Sequence, residues 1–163
     1  MKKRTRVLPI IAFALVAGSA LHSFADTKPN AATLARGKYL VSITGCNDCH
    51  TAGYTMVGGQ VPVNQWLAGS DMGWRGPWGT TYATNLRLYM QTISEEQWVT
   101  LAHSAQMRPP MPWFALHDLN ERDLRDIFRF VRALGATGKP APDFVPPGQT
   151  PQGPFVQFPM PPK

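Results

Sequence analysis

The chain contains only two cysteines, and both lie within one five-residue segment, Cys46-Asn47-Asp48-Cys49-His50. C-x-x-C-H is the spacing at which haem is attached covalently to protein. In a helical turn, residues three apart lie on the same side, so each thiol can form a thioether to one haem vinyl group. The adjacent histidine can then ligate the iron. The motif therefore predicts one haem c, held by Cys46 and Cys49, with His50 as an axial ligand.

Three other interpretations of the two cysteines are weaker. A thioredoxin-like redox motif also uses C-x-x-C, but the chain shows no βαβ pattern around it. A structural zinc site needs four ligands, usually from two such motifs, and this chain has one. A structural disulfide across two intervening residues would close a very small loop and stabilise little.

An electron carrier needs a second axial ligand, because an open iron site invites oxygen or peroxide chemistry. Met111 lies between Pro110 and Pro112, and prolines fix φ and exclude helix. A stiff segment of this kind loses little conformational entropy when it places a thioether at the iron. Met111 is therefore the predicted sixth ligand, with Met107 as the alternative.

Histidines are the other candidates for the sixth ligand. His103 lies in a predicted helix and His117 just before the next one, and each is more typical of a surface or capping histidine. Methionine opposite histidine raises the reduction potential, so the predicted carrier belongs toward the oxidising end of a respiratory chain.

Three segments are predicted to be helical. Residues 30–44 lead into the cysteine motif and contain Gly37, which costs about 1 kcal/mol relative to alanine and so indicates a close helix crossing. A capping box begins residues 94–106, and residues 120–134 follow helical periodicity up to Gly135.

The chain from 51 to 89 is rich in glycine and aromatic residues and shows no sustained period, which predicts loops over a haem face. From its spacing, Pro62 is expected to present its backbone carbonyl to the second ring nitrogen of His50, a contact that orients a ligating imidazole. Trp74, Arg75 and Trp78 are candidates to bind haem propionates, although loop-filling aromatics with a surface arginine are an equal alternative.

The N-terminus predicts export. Basic residues precede an apolar run from Val7 to about Leu21, and Ser23-Phe24-Ala25 ends in the small residues that a signal peptidase reads,. Residues 1–25 are therefore a predicted signal peptide, and the product is expected to be periplasmic with no membrane span. These residues carry four positive charges and no negative ones, so the formal net charge falls from +6 for the whole chain to +2 for the remainder. A net charge of this size gives no case for nucleic-acid binding.

The composition changes at the C-terminal end. Nine of the 26 residues from 138 to 163 are proline, which disfavours helix or central strand and favours polyproline II. Phe144, Phe155 and Phe158 are expected either to wrap onto the domain or to contact a partner, while disorder is the alternative. The predicted organisation is a signal peptide, a haem domain over 26–137 and a Pro-rich extension over 138–163.

These features together resemble class I cytochrome c over about residues 30 to 135. The resemblance rests on Gly37 in a first helix, C-x-x-C-H at its end, a proline-flanked methionine and a last helix with paired aromatics. It implies an all-α, cytochrome c-like haem domain of three or more helices with long loops and a Pro-rich tail. It also implies that Gly37 meets Phe130 where first and last helices cross, and that His50 and Met111 ligate the iron.

Two further segments are similar to haem-c proteins and subunits of periplasmic dehydrogenases. They are Gly76-Pro77-Trp78-Gly79-Thr80-Thr81-Tyr82 with Asn85-Leu86-Arg87, and Arg108-Pro109-Pro110-Met111-Pro112-Trp113. Members of that group commonly carry two or three haems, and the one motif here favours a small stand-alone carrier.

The predicted function is electron transfer between redox proteins, a dehydrogenase as donor and an oxidase or another cytochrome as acceptor. The chain is not expected to be an enzyme or to have a small-molecule substrate. The alternatives are a peroxidase-like haem enzyme, which needs an open distal site with acid–base residues, and a haem-based gas or redox sensor.

Overall fold

The computed structural model describes residues 29–160 and residue 162. The predicted signal peptide, residues 1–25, lies outside the described residues. The helices are α1 (Ala31–Ile43), α2 (Cys46–His50), α3 (Leu86–Tyr89), α4 (Glu95–Ser104), α5 (Phe114–His117) and α6 (Glu121–Leu134). The strands are β1 (Gly73–Gly76), β2 (Gly79–Tyr82) and β3 (Phe155–Gln157).

The three predicted helices are confirmed as α1, α4 and α6, and each begins at a capping side chain. Asn30 and Asn120 each accept a hydrogen bond from the backbone N–H three residues later, both at 2.9 Å. Ser94 and Gln97 form the predicted capping box, since each side chain bonds the other residue's backbone N–H. These bonds satisfy N–H groups that a helix leaves unpaired at its start.

Helices α1 and α6 cross at Gly37, as predicted. A Cβ placed on Gly37 would clash with the carbonyl oxygen of Asp126 and lie 2.6 Å from the Cβ of Phe130. The backbones therefore approach more closely than any residue with a side chain would allow. The residues of α6 on this side, from Leu124 to Val131, are largely buried.

Ion pairs join α6 to both α1 and α4. Arg36 of α1 donates to Asp123 of α6, and Arg129 of α6 donates twice to Glu95 of α4, at 2.7 and 2.8 Å. Arg125 donates to the same carboxylate at 3.0 Å. Because the arginines are partly exposed, these pairs contribute orientation more than stability.

The predicted all-α fold is wrong, because a three-stranded mixed sheet of order β2-β1-β3 accompanies the helices. β1 pairs antiparallel with β2 and parallel with β3. Strands of three or four residues are too short to show the alternating pattern that identifies a strand in a sequence. β3 also depends on a partner far away in the chain, so no local signal marks it. The fold is mixed α/β.

The C-terminal extension packs onto the domain over much of its length. Val145 and Thr80 exchange backbone hydrogen bonds of 2.8 and 3.0 Å, and β3 forms an edge of the sheet. The N–H of Phe158 donates to the carbonyl of Arg75 at 2.7 Å, and its ring packs against Trp74. The phenylalanines of the extension were expected either to wrap onto the domain or to contact a partner, and in the structure they contact the domain.

None of the helices in the described part of the chain is long and apolar enough to cross a membrane.

Gly37→Ala is expected to destabilise the protein by about 3 kcal/mol, because the added methyl group overpacks the contact between α1 and α6. The free energy of unfolding, measured by denaturant titration of the purified protein, checks this value.

Ala35→Ser is the matched control, since it adds one heavy atom to an exposed position of the same helix. Its expected cost is about 0.5 kcal/mol, from helix propensity alone. Equal costs for the two variants would contradict the close crossing.

Candidate functional site

The cysteine motif forms the short helix α2, directly after α1. Gly45 separates the two helices with φ of +72°, a left-handed conformation that glycine adopts without steric cost. Cys46 and Cys49 are both free thiols and both partly buried. Burial raises the pKa of each thiol, so neither is a preformed thiolate in this structure.

Buried hydrogen bonds fix α2 to the chain that follows it. The Thr51 hydroxyl donates to the side-chain oxygen of Asn47 at 2.7 Å and accepts from the N–H of Leu67 at 2.7 Å. The N–H of Gly69 donates to the carbonyl of His50 at 2.8 Å. The motif therefore has a defined position before any ligand is considered.

The ring of His50 is oriented by a backbone carbonyl. Its Nδ1 lies 2.7 Å from the carbonyl oxygen of Thr84, and since a carbonyl only accepts, Nδ1 carries the hydrogen. The Nε2 lone pair is then free to bind a metal, the arrangement typical of ligating histidines. Burial lowers the pKa of His50, which favours the neutral imidazole that coordination requires.

Thr84 takes the role that the sequence analysis assigned to Pro62, so that prediction is wrong. The Pro62 carbonyl instead accepts from the N–H of Gln65 at 2.9 Å, at the start of a 3-10 turn. Every residue has a backbone carbonyl, so nothing in the sequence marks Thr84. Only the path of the chain between β2 and α3 brings its carbonyl to the histidine.

Two adjoining cavities, of about 910 and 300 Å³, meet at the motif. Binding sites for small ligands typically enclose about 300–1,000 Å³, so the space suits a large cofactor. The residues that line both cavities are Cys49, His50, Thr84, Tyr89, Met107 and Met111. Cys46 lines the smaller cavity, whose remaining wall is mainly apolar.

Both candidate methionines lie in the methionine segment, residues 105–113, which connects α4 to α5 without regular structure. Met107 and Met111 are partly buried and line both cavities. The Thr81 hydroxyl of β2 donates to the carbonyl of Pro109 at 2.6 Å and holds the middle of the segment. The choice of Met111 over Met107 stays a prediction.

The two other candidate histidines bond elsewhere. Nε2 of His103 lies 3.0 Å from the Leu119 carbonyl, and Nε2 of His117 lies 3.1 Å from the Ala105 carbonyl. Neither residue lines the two cavities. For a bis-histidine site, one of these histidines would have to break its hydrogen bond to the backbone carbonyl and move to the cavity.

Of the three residues considered for binding haem propionates, only Trp74 lines the larger cavity. Its indole Nε1 is buried with no hydrogen-bond partner among the described residues. A buried N–H without an acceptor is costly, so an acceptor on a bound group fits here. Arg75 and Trp78 do not line this cavity, and the guanidinium of Arg75 lies 5.3 Å from the ring centroid of Phe155.

The donor set fits a covalently attached haem. It combines two thiols three residues apart, a histidine with a free Nε2, two thioethers that line the same cavities as that histidine, and an indole N–H without a partner among the described residues. Within residues 29–160 and 162, no cluster of three or more histidine, cysteine, aspartate or glutamate side chains is arranged to hold a metal ion. Comparisons with protein-family models, curated proteins and solved structures found no match.

Two polar residues that the sequence analysis did not place in the site support the segment with Thr84. Arg87 is buried, and its guanidinium donates to the carbonyls of Asn64 and Gly135 at 2.6 Å each, and to that of Leu134. Burial lowers the pKa of this arginine. It ties α3 to the end of α6, where helix carbonyls lack intrahelical partners.

Asn85 is the second of these supports, and it is almost fully buried. Its side-chain oxygen accepts from the N–H of Leu88 at 3.0 Å and caps α3. Its amide nitrogen donates to the carbonyls of Thr137 and Lys139, at 2.8 and 3.1 Å. The start of the C-terminal extension is therefore fixed next to the residue that orients His50.

Arg87→Met is expected to destabilise the protein by about 3 kcal/mol or more, because it leaves three backbone carbonyls without their donor. Denaturant titration measures this loss.

Arg122→Met makes the same chemical change at an exposed position of α6, and its expected effect is within about 0.5 kcal/mol. A loss for Arg87→Met as small as that would contradict the supporting role of its guanidinium.

Proposed function

We propose that this protein is a periplasmic electron carrier with one covalent haem c. The observation that carries the proposal is that Cys49, His50, Met107 and Met111 line both cavities. The two proposed anchors, Cys46 and Cys49, and the candidate iron ligands all line the smaller cavity. In this proposal Cys46 and Cys49 would hold the haem, and His50 and Met111 would ligate its iron.

His50 supports this function through its fixed tautomer. The hydrogen bond from Nδ1 to Thr84 directs Nε2 toward the ligand position and increases the basicity of the imidazole,. The hydrogen bonds that fix α2 to the following chain also restrict the movement of His50.

The methionine segment would supply the second ligand. Prolines flank Met111, and the Thr81 hydroxyl holds Pro109, so the segment is restricted before any bond to a metal forms. A thioether opposite imidazole raises the reduction potential. The bound haem supplies the change between ferric and ferrous iron that carries one electron.

The protein also controls the surroundings of this site. Leu67, Met90, Trp98, Ile127 and Val131 are buried and line the smaller cavity. An apolar wall lowers the local dielectric and limits access of water, both of which tune a redox potential. None of these five side chains is an acid–base group that could act on a small substrate.

The proposed partners are redox proteins, with a dehydrogenase as donor and an oxidase or another cytochrome as acceptor. The similarity of residues 76–82, 85–87 and 108–113 to haem-c proteins and subunits of periplasmic dehydrogenases supports this choice. Contacts between electron-transfer proteins are commonly small and transient, so rapid exchange with several partners suits a carrier of this size.

Optical spectra of the purified protein test the proposal. A c-type reduced spectrum, a weak red sulfur-to-iron band when oxidised and no response to carbon monoxide are expected. A high-spin spectrum that shifts readily with carbon monoxide would contradict the proposal of an electron carrier. It would favour an enzyme or a sensor, because the distal position would then be open.

Met111→Leu is expected to abolish the red band and to allow carbon monoxide to bind, since leucine keeps the volume and removes the sulfur. Met107→Leu is the matched variant on the same segment and is expected to retain the band. The reverse result would assign the ligand to Met107.

Trp74→Phe is expected to raise the pKa of a haem propionate by about one unit, because a carboxylate that loses a donated hydrogen bond is less stable in its charged form. The pH dependence of the reduction potential measures this shift.

Trp78→Phe serves as the control, since the Nε1 of Trp78 already donates to the Trp74 carbonyl at 3.3 Å. No change of the propionate pKa is expected for it. An unchanged propionate pKa in Trp74→Phe would show that the Trp74 indole does not donate to the propionate.

A further inference from the structure

The methionine segment has little support of its own. It lies between α4 and α5 without helix or strand. Its internal backbone hydrogen bonds run from the Met111 N–H to the Arg108 carbonyl at 3.3 Å and from the Trp113 N–H to the Met111 carbonyl at 2.9 Å. A segment of this kind is restrained mainly by what packs against it from outside. On one side that restraint is the bond from Thr81 to Pro109.

The C-terminal extension provides the restraint on another side. Residues 140–144 line the larger cavity together with Met107, Arg108 and Met111. The guanidinium of Arg108 lies 4.1 Å from the ring centroid of Phe144, within the range of a favourable cation–π contact. Phe144 therefore joins the extension directly to the segment that carries both candidate ligands.

Strand β2 fixes Phe144 in this position. Gly79 has φ of +100°, and a Cβ there would clash with the carbonyl oxygen of Val145 and lie 3.0 Å from the ring of Phe144. The close approach of the extension to β2 at this point therefore requires a glycine. The next residue, Thr80, pairs with Val145 through two backbone hydrogen bonds. Adjacent residues of β2 thus hold the extension through Thr80 and the methionine segment through Thr81.

We propose that Phe144 is a positioning residue for the methionine ligand, which rests on the proposed function. Its ring holds Arg108, and through it the methionine segment, against the cavity, so that the thioether stays on the iron. The extension is then part of the haem site. Phe155 and Phe158, by contrast, pack against Arg75, Trp74 and Trp78 of the sheet region.

Competition by imidazole measures how firmly the methionine is held. Added imidazole binds only iron from which the thioether has dissociated, so its apparent Kd falls as that open fraction rises. Phe144→Ala is expected to lower the apparent Kd about tenfold, since both the cation–π contact and part of the cavity wall are lost.

Arg108→Gln is the second variant and lies at an exposed position, so folding is not at risk. It removes the cation–π contact and leaves the Phe144 ring in the cavity lining, and a decrease of about two- to fivefold in the apparent Kd is expected. In the double variant the two effects should not multiply, because both changes break the same contact.

Phe155→Ala is the matched control. It removes a phenylalanine of the same extension that also lies against an arginine, and it does not line the cavity. The apparent Kd of the Phe155→Ala variant for imidazole is expected to stay within about twofold of the wild-type value, even if the melting temperature of the variant falls. An equal decrease in Phe155→Ala, or none in Phe144→Ala, would overturn the proposal.

Amide hydrogen exchange over residues 105–113 gives a readout that does not depend on the axial ligand. Phe144→Ala should speed exchange in this segment and Phe155→Ala should not. A wild-type protein without the red band would instead refute the proposed function, and the exchange result would then decide alone whether Phe144 holds the segment.

Discussion

The close approach of α1 to α6 at Gly37 determines where the functional residues lie. Without a side chain at Gly37, the backbone of α1 packs against Asp126 and Phe130 of α6. Only Thr44 and Gly45 separate the end of α1 from the start of α2, so the position of α1 also sets the position of the cysteine motif. The motif therefore lies at the edge of the core that α6 fills with its apolar side.

Around this pair of helices, much of the chain is irregular. Buried side chains form the hydrogen bonds to its backbone that regular secondary structure would otherwise supply. The backbone carbonyls of such segments need donors when they are removed from water. Arg87, Asn85 and Trp66 supply them, the last by donating from Nε1 to the Val61 carbonyl at 2.8 Å. These bonds fix the loops, and the loops in turn fix the carbonyl of Thr84 beside His50.

The sheet and the extension hold the methionine segment. β2 contacts the methionine segment and the extension through neighbouring residues, and β3 returns the chain to β1. An extension rich in proline is suited to this role, since proline restricts the unfolded chain and so lowers the entropy lost on ordering. The haem site we propose is therefore built from segments distributed over most of the described chain.

Features with local signals could be predicted from the sequence alone. C-x-x-C-H, the caps at Asn30, Ser94 and Asn120, and the apolar spacing of α6 each depend on residues a few positions apart. The sheet, the carbonyl that orients His50 and the contact between Arg108 and Phe144 emerge only when the chain is folded. Each of these joins segments distant in the chain through backbone groups, short strands or a single side-chain contact, and such pairings leave no pattern in a sequence.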